Sequence, residues 1–204
     1  MNTSFSTAKR SFNLDSQSNL ALLKGPDDSS KSNWKLQRAI PVGQLKIHSS
    51  PFRGSFPGVL SEALRAAGLG SQVMVAQFLK GGVDQGPEGL VRMCDRLEWI
   101  RPAISACIHS KLSETILSEE KNNDFKAVKE VWEICKNRLL QGEIDQLVLE
   151  EVGLAISLGY LDESELISTL EQRPPSVDVI LTGPDISPNV MAMADQVTVL
   201  RSGL

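Results

Sequence analysis

Aromatic residues make up only 5% of this 204-residue chain, so any core it builds must be aliphatic. Cysteine is scarce too: Cys94, Cys107 and Cys135 lie far apart, with no CxxC spacing. An odd, scattered count argues against a disulfide framework and points to a reducing, cytoplasmic compartment. Cys107 and His109, two apart, could share a strand face and hold a metal. With no other ligand cluster near in sequence, a core Cys beside a surface His is the favoured alternative. No apolar run approaches the roughly 18 residues of a membrane helix, so no membrane span is expected. Positive charge is in deficit, with 21 Lys and Arg against 25 Asp and Glu. That removes any global attraction to nucleic acid or anionic lipid.

What is present suits an α/β protein. The chain is 41% hydrophobic, enough for a sizeable core. Residues 1–40 are rich in Ser, Asn, Asp and Lys and read as a flexible tail. Leu20, Leu22, Leu23 and Trp34 are isolated apolar anchors within it. Its Ser/Thr-rich, basic start resembles a transit peptide only faintly, because it lacks an apolar face. From residue 41 to 204 strand and helix signals alternate, which predicts one domain with a mostly parallel sheet. Leu45 and Ile47 mark a strand. Pro57 suits the first turn of a helix that carries Val59, Leu60, Ala63, Leu64 and Ala67 and ends at Gly68 and Gly70. Residues 73–76 form a continuous apolar run, as in strands buried on both faces. Residues 90–97 read as a short helix and 97–100 as a strand. Two helices are expected next, over 110–120 and 125–140, broken at 121–124 with Asp124 as N-cap. Strands follow at 147–149, 177–181 and 196–200, with helices at 164–172 and 190–194 between them.

Two features fall past the carboxyl ends of strands, where open α/β sheets bind ligands. The first is the loop Ser50-Pro51-Phe52-Arg53-Gly54-Ser55-Phe56. A working phosphate loop reads GxxxxGK[ST]: backbone amides cradle phosphate, Lys neutralises it and the hydroxyl holds Mg²⁺. Here Ser50 stands at the first Gly, Gly54 at the second, Ser55 at the Lys and Phe56 at the hydroxyl. Pro51 and Pro57 also lack amide donors. Arg53 is either a replacement cation for phosphate or a solvent-facing loop residue. The second feature is Glu150-Glu151 after the strand at 147–149. Such acids either ligate Mg²⁺ or begin a helix, where they complement its dipole.

The order of motifs resembles the ATP:corrinoid adenosyltransferases. The matching residues are Ala63 to Gly68 with Gly70, and the run Val75-Ala76-Gln77-Phe78-Leu79-Lys80-Gly81. Trp132, Leu147 to Val152, Arg173-Pro174, Val179 to Gly183, and Ala194-Asp195 with Val197-Thr198 complete the series. The resemblance covers about residues 43–200. It implies a three-layer P-loop NTPase (RecA-like) fold. It also implies transfer of the 5′-deoxyadenosyl group of ATP to cobalt(I) of a corrinoid, with Mg²⁺ holding the triphosphate. On that pattern Ser50, Arg53, Gly54, Ser55 and Gln77 would contact the nucleotide. Glu150 would take the Mg²⁺ side, with Glu151 its neighbour in the catalytic site. A homodimer, or another protein partner, is likewise implied.

The departures gather at the ligand face. Ser55 carries no charge, Phe56 cannot ligate a metal, and residues 114–119 lack the family's aromatic corrinoid-lining residues. Gly183-Pro184 replaces a Gly-Arg, and the family's basic C-terminal segment is not seen before Leu204. Losing two charged contacts at about 1.5–3 kcal/mol each predicts roughly a hundredfold or greater loss in ATP affinity or rate. Two readings follow. One is a non-catalytic member with a degenerate loop, acting through protein binding or regulation. The other is an active ATP:cob(I)alamin adenosyltransferase with an atypical loop.

Overall fold

A computed structural model describes residues 42–54, 56–82, 86–112 and 119–200. Ser55, the tail at 1–40 with its apolar anchors, most of the segment expected to be helical at 110–120, and residues 201–204 lie outside the described residues. Seven strands form one sheet: β1 (Leu45–Ser49), β2 (Val73–Gln77), β3 (Val91–Cys94), β4 (Leu97–Ile100), β5 (Gln146–Glu150), β6 (Asp178–Gly183) and β7 (Gln196–Val199). Their order is β3-β4-β2-β5-β6-β1-β7, parallel throughout except for the β3–β4 pair. Helices are α1 (Pro57–Gly68), α2 (Glu119–Gln141), α3 (Val152–Ser157), α4 (Glu163–Glu171) and α5 (Pro188–Ala192).

Strand alternation sorts the core into two layers around the sheet. Val75, Val148 and Ile180 face α1, meeting Val59, Ala63 and Ala67. Leu45, Ile47, Met74, Leu147, Leu149, Val179 and Leu181 face the other way, onto side chains of α2 to α5. On α2 that stripe is Val128, Val131, Trp132, Cys135 and Leu139, with Phe78 edge-on to Trp132. Burial pushes the Cys135 thiol up to about 12, so it stays protonated and inert. The arrangement is the three-layer α/β fold of a P-loop NTPase. No helix among the described residues is long and apolar enough to cross a membrane.

Two expectations fail. Residues 90–97 are no helix: β3 and β4 form an antiparallel hairpin turning at Asp95-Arg96. Leu90, Met93, Cys94 and Leu97 happen to recur at helical spacing. Pairing with the sheet, and the Arg92–Glu98 bond between the two strands, prevail over that local signal. Nor is there a break at 121–124. A single 23-residue helix runs through Asn122, Asn123 and Asp124, so Asp124 lies inside the helix and not at its N-terminus. Those residues cost a few tenths of a kcal/mol each in a helix, about 0.5 apiece. Burying the long apolar stripe that follows outweighs that cost.

Helices α2 and α4 are tied by charge. Lys129 and Lys136 on α2 both donate to Glu165 on α4, at 3.1 and 2.6 Å. The bond from Lys136 is the largest cause holding the Glu165 carboxyl at about 2, below its ordinary 4.5; bonds from Lys129 and Trp132 add to it. A depressed folded-state pKa contributes stability above the unfolded value and loses it as pH falls through the folded one. Wild-type denaturation midpoints should therefore fall more steeply than those of Glu165→Gln between pH 4.5 and 2. The partly solvated cluster limits the difference to about 1 kcal/mol. Parallel urea titrations of the two proteins across that window check it.

Candidate functional site

The candidate site lies at the carboxyl ends of β1, β2, β5 and β6, where one side chain from each strand meets its neighbours in register. Gln77 pairs with Glu150, Glu150 with Thr182, and Thr182 with His48. This polar row lies on the α1 side of the sheet. His48 packs its ring on Phe56 at 6.0 Å, and burial holds its pKa below 6.5, so it is neutral at pH 7. Phe56, at the place a phosphate loop gives to a hydroxyl, is instead a core residue packed with Val59 and Ile180. It precedes α1, and its side chain makes no capping bond.

The two adjacent glutamates part company. Glu150 is the last residue of β5 and is buried. Its Oε1 accepts from Lys80 Nζ at 2.6 Å, and its Oε2 from the Gln77 amide. The Gln77 carbonyl oxygen in turn accepts from Arg101 Nε at 2.6 Å and Trp99 Nε1 at 3.0 Å. Lys80, Gln77 and Glu150 thus form one hydrogen-bonded unit beneath the Trp99–Arg101 pair.

Glu151 turns the other way. Its φ of 57° is left-handed, which costs a non-glycine residue about 1–2 kcal/mol. Its N–H donates to Thr182 O at 2.8 Å and its carbonyl starts the bonding of α3. The side chain, only 2% exposed, points at the loop. Arg53 Nη2 donates to Glu151 Oε2 at 2.7 Å, and Nε reaches both oxygens at 3.2 Å. The Gly54 N–H donates to Oε1 at 3.3 Å. Arg53 Nη1 donates to the Ile108 carbonyl at 2.6 Å and lies 2.9 Å from His109 Nδ1. A guanidinium only donates, so in that contact His109 Nδ1 is the acceptor. The carboxylate of Glu151 thereby holds a loop amide and a loop cation, the partners a phosphate loop offers to an oxyanion.

The remaining loop bonds are local. Ser50 is buried; its N–H donates to Gly183 O at 3.4 Å and its hydroxyl accepts from Phe52 N at 3.3 Å. A cleft of about 430 Å³ opens beside it, lined by Ser49, Ser50, Pro51, Pro184, Asp185, Val199 and Leu200. Arg53, Gly54, Glu150 and Glu151 do not line that cleft. Ser50, Arg53, Gly54 and Glu151 are thus gathered around the loop, while Gln77 joins Glu150 farther along the row. Lys80, Trp99 and Arg101 are site residues that spacing alone did not single out, and His109 was singled out only as a possible metal partner of Cys107. The signal for Lys80 was its position just past β2, beside the end of β5. Cys107 and His109 lie in irregular chain rather than on a strand; Cys107 is exposed there and is not the core residue expected, and the described residues contain no group of three metal-ligating side chains.

Comparison with known proteins agrees with this architecture. Residues 43–203 match the family model described as ATP:corrinoid adenosyltransferase BtuR/CobO/CobP. The corrinoid adenosyltransferase of Pseudomonas aeruginosa is 26% identical over 156 residues, 76% of this chain and 73% of that protein. That of Escherichia coli K12 is 28% identical over 159 residues, 78% of this chain and 76% of its own length. Corrinoid adenosyltransferase CobA of Salmonella typhimurium is 29% identical over 162 residues, covering 78% and 76%.

Proposed function

Since the chain belongs to the ATP:corrinoid adenosyltransferase BtuR/CobO/CobP family, we propose that it is a non-catalytic member whose phosphate loop is closed by its own acid. It acts through protein contacts, as a homodimer or with another protein. The observation that carries this reading is the Arg53–Glu151 pair with the Gly54 amide. For ATP to use Arg53, the buried Glu151 carboxylate must lose its cation. Stripping one partner from a buried pair costs about 3–5 kcal/mol, a hundredfold to a thousandfold or more in affinity. The donor set also does not fit Mg²⁺, which needs oxygens in a near-octahedral shell. Glu150 already accepts from Lys80 and Gln77, and Phe56 offers no oxygen.

The second reading is an active ATP:cob(I)alamin adenosyltransferase. It is favoured by the names of the relatives and by the partial exposure of Arg53. Calorimetric titration with Mg-ATP separates the two. No heat at millimolar nucleotide is expected from wild type. Micromolar binding that Arg53→Ala abolishes would sink the non-catalytic reading.

A further inference from the structure

The sheet ends on one side in β7, and among the described residues no strand pairs with its outer edge. The opposite edge strand, β3, carries Arg92 bonded to Glu98, the kind of charge that keeps an edge from pairing with another chain. β7 has no such guard. From Gln196 to Leu200 the chain reads QVTVL, with no charge, proline or glycine. Val197, Val199 and Leu200 are 43%, 56% and 43% exposed.

The hydrogen bonding shows which backbone groups are open. Leu200 N–H donates to Ser49 O at 2.8 Å, toward β1. Successive residues of a strand turn their N–H and C=O to opposite edges. Those of Val199, and of Val197 two residues before it, therefore point away from β1. The side chains of Val197 and Val199 share one face of the sheet. It is the α2–α5 side, because Ile47, the register partner of Val197, packs there.

The sequence of this edge complements itself. In Asp195-Gln196-Val197-Thr198-Val199-Leu200-Arg201 a valine flanks Thr198 on either side, and opposite charges stand three residues away in each direction. Asp195 Oδ2 accepts from Leu45 N–H at 2.7 Å and lies 3.7 Å from Arg173 Nη2, with about half of the side chain still exposed.

We infer that β7 pairs antiparallel with β7 of a second copy of this chain, about a two-fold axis at Thr198. In that register Val197 and the second copy's Val199 exchange both backbone hydrogen bonds, and symmetry repeats the exchange. The valine side chains meet on one face. The two copies of Thr198 face each other as the close, non-hydrogen-bonded pair. Asp195 meets the second copy's Arg201, and the reverse. A contact of this symmetry closes on itself and gives a dimer, not a fibre. The inference rests on the protein-contact reading above and names its surface and its partner.

The test is analytical ultracentrifugation of the full chain across a concentration series. Wild type is expected to reach twice the chain mass. Val199→Pro removes an outward N–H, which an edge strand tolerates. Val197→Lys puts a charge into the valine pair, and Arg201→Asp sets like charges against each other. Each should raise the dimer dissociation constant about tenfold or more, one decade being about 1.4 kcal/mol. Circular dichroism spectra like that of wild type will show which variants fold, and any one folded variant suffices. Thr198→Cys should join two chains by a disulfide under mild oxidation, since a non-hydrogen-bonded pair sets its Cα atoms about 4.5 Å apart. Wild type, with Cys94 and Cys107 exposed, is the control. A monomer at every concentration overturns the inference. So does a dimer that the folded variants leave unchanged, or a Thr198→Cys protein that cross-links no more than wild type. Nucleotide binding would overturn the non-catalytic reading and leave the dimer standing, and a monomeric protein leaves the calorimetric result standing.

Discussion

Replacing Lys80 with methionine should destabilise the domain by about 3–5 kcal/mol, the cost of breaking a buried ion pair from one side. Glu150 is the side that suffers. It is 3% exposed, and Lys80 supplies its nearby ammonium at 2.6 Å. The Gln77 amide, among the bonds that Glu150 keeps, is neutral, and Gln77 is itself committed through its carbonyl oxygen to Trp99 and Arg101. A neutral amide does not offset a desolvated carboxylate. The control is Lys80→Met with Glu150→Gln, which removes the charge as well as its partner and should recover most of the loss. Urea unfolding of wild type, the two single variants and the double variant gives the coupling directly. A Lys80→Met protein within about 0.5 kcal/mol of wild type would show that Glu150 is better solvated than its burial indicates.

The second large effect belongs to Gly183. Its φ is +115°, a backbone conformation that costs an L-residue, and a Cβ there would lie 2.8 Å from Glu151 Cα. The obstacle is backbone, held by the Glu151 N–H bond to Thr182 O, so it cannot swing aside. Gly183→Ala should therefore cost about 2–5 kcal/mol, strain and overpacking together. The clash also displaces Glu151 from Arg53. Thermal melts measure the first consequence. The second should appear as faster amide exchange at Gly54, whose N–H is bound to Glu151. Wild-type stability in Gly183→Ala would contradict the fit of that glycine against the acid.

The sheet was legible because its central strands are apolar on both faces. Residues 73–76, 147–149 and 177–181 each announce a buried strand; the first two lie within strands of the sheet, and the third overlaps β6, which begins at Asp178. The hairpin was not legible, because Leu90, Met93, Cys94 and Leu97 fit a helical period and only long-range pairing to β2 decides otherwise. The loop was legible in what it lacks: Ser55 and Phe56 stand where Lys and a hydroxyl would. What occupies the loop was not. Arg53 and Glu151 are 98 residues apart, and Lys80 and Glu150 are 70 apart. No spacing rule connects such pairs; the parallel register that brings four strand ends together does. Phe56 illustrates the same gap. As a loop residue it reads as a lost ligand, and in the fold it is a core side chain beneath the start of α1.

Whether the loop's own acid keeps substrate out separates a non-catalytic protein from an active enzyme. The most direct measurement is adenosylation of chemically reduced cob(I)alamin with Mg-ATP, followed by absorbance, on wild-type protein. The expected result is no turnover above the protein-free rate. Sustained formation of adenosylcobalamin, lost in Arg53→Ala, would contradict it and establish Arg53 as a working phosphate ligand.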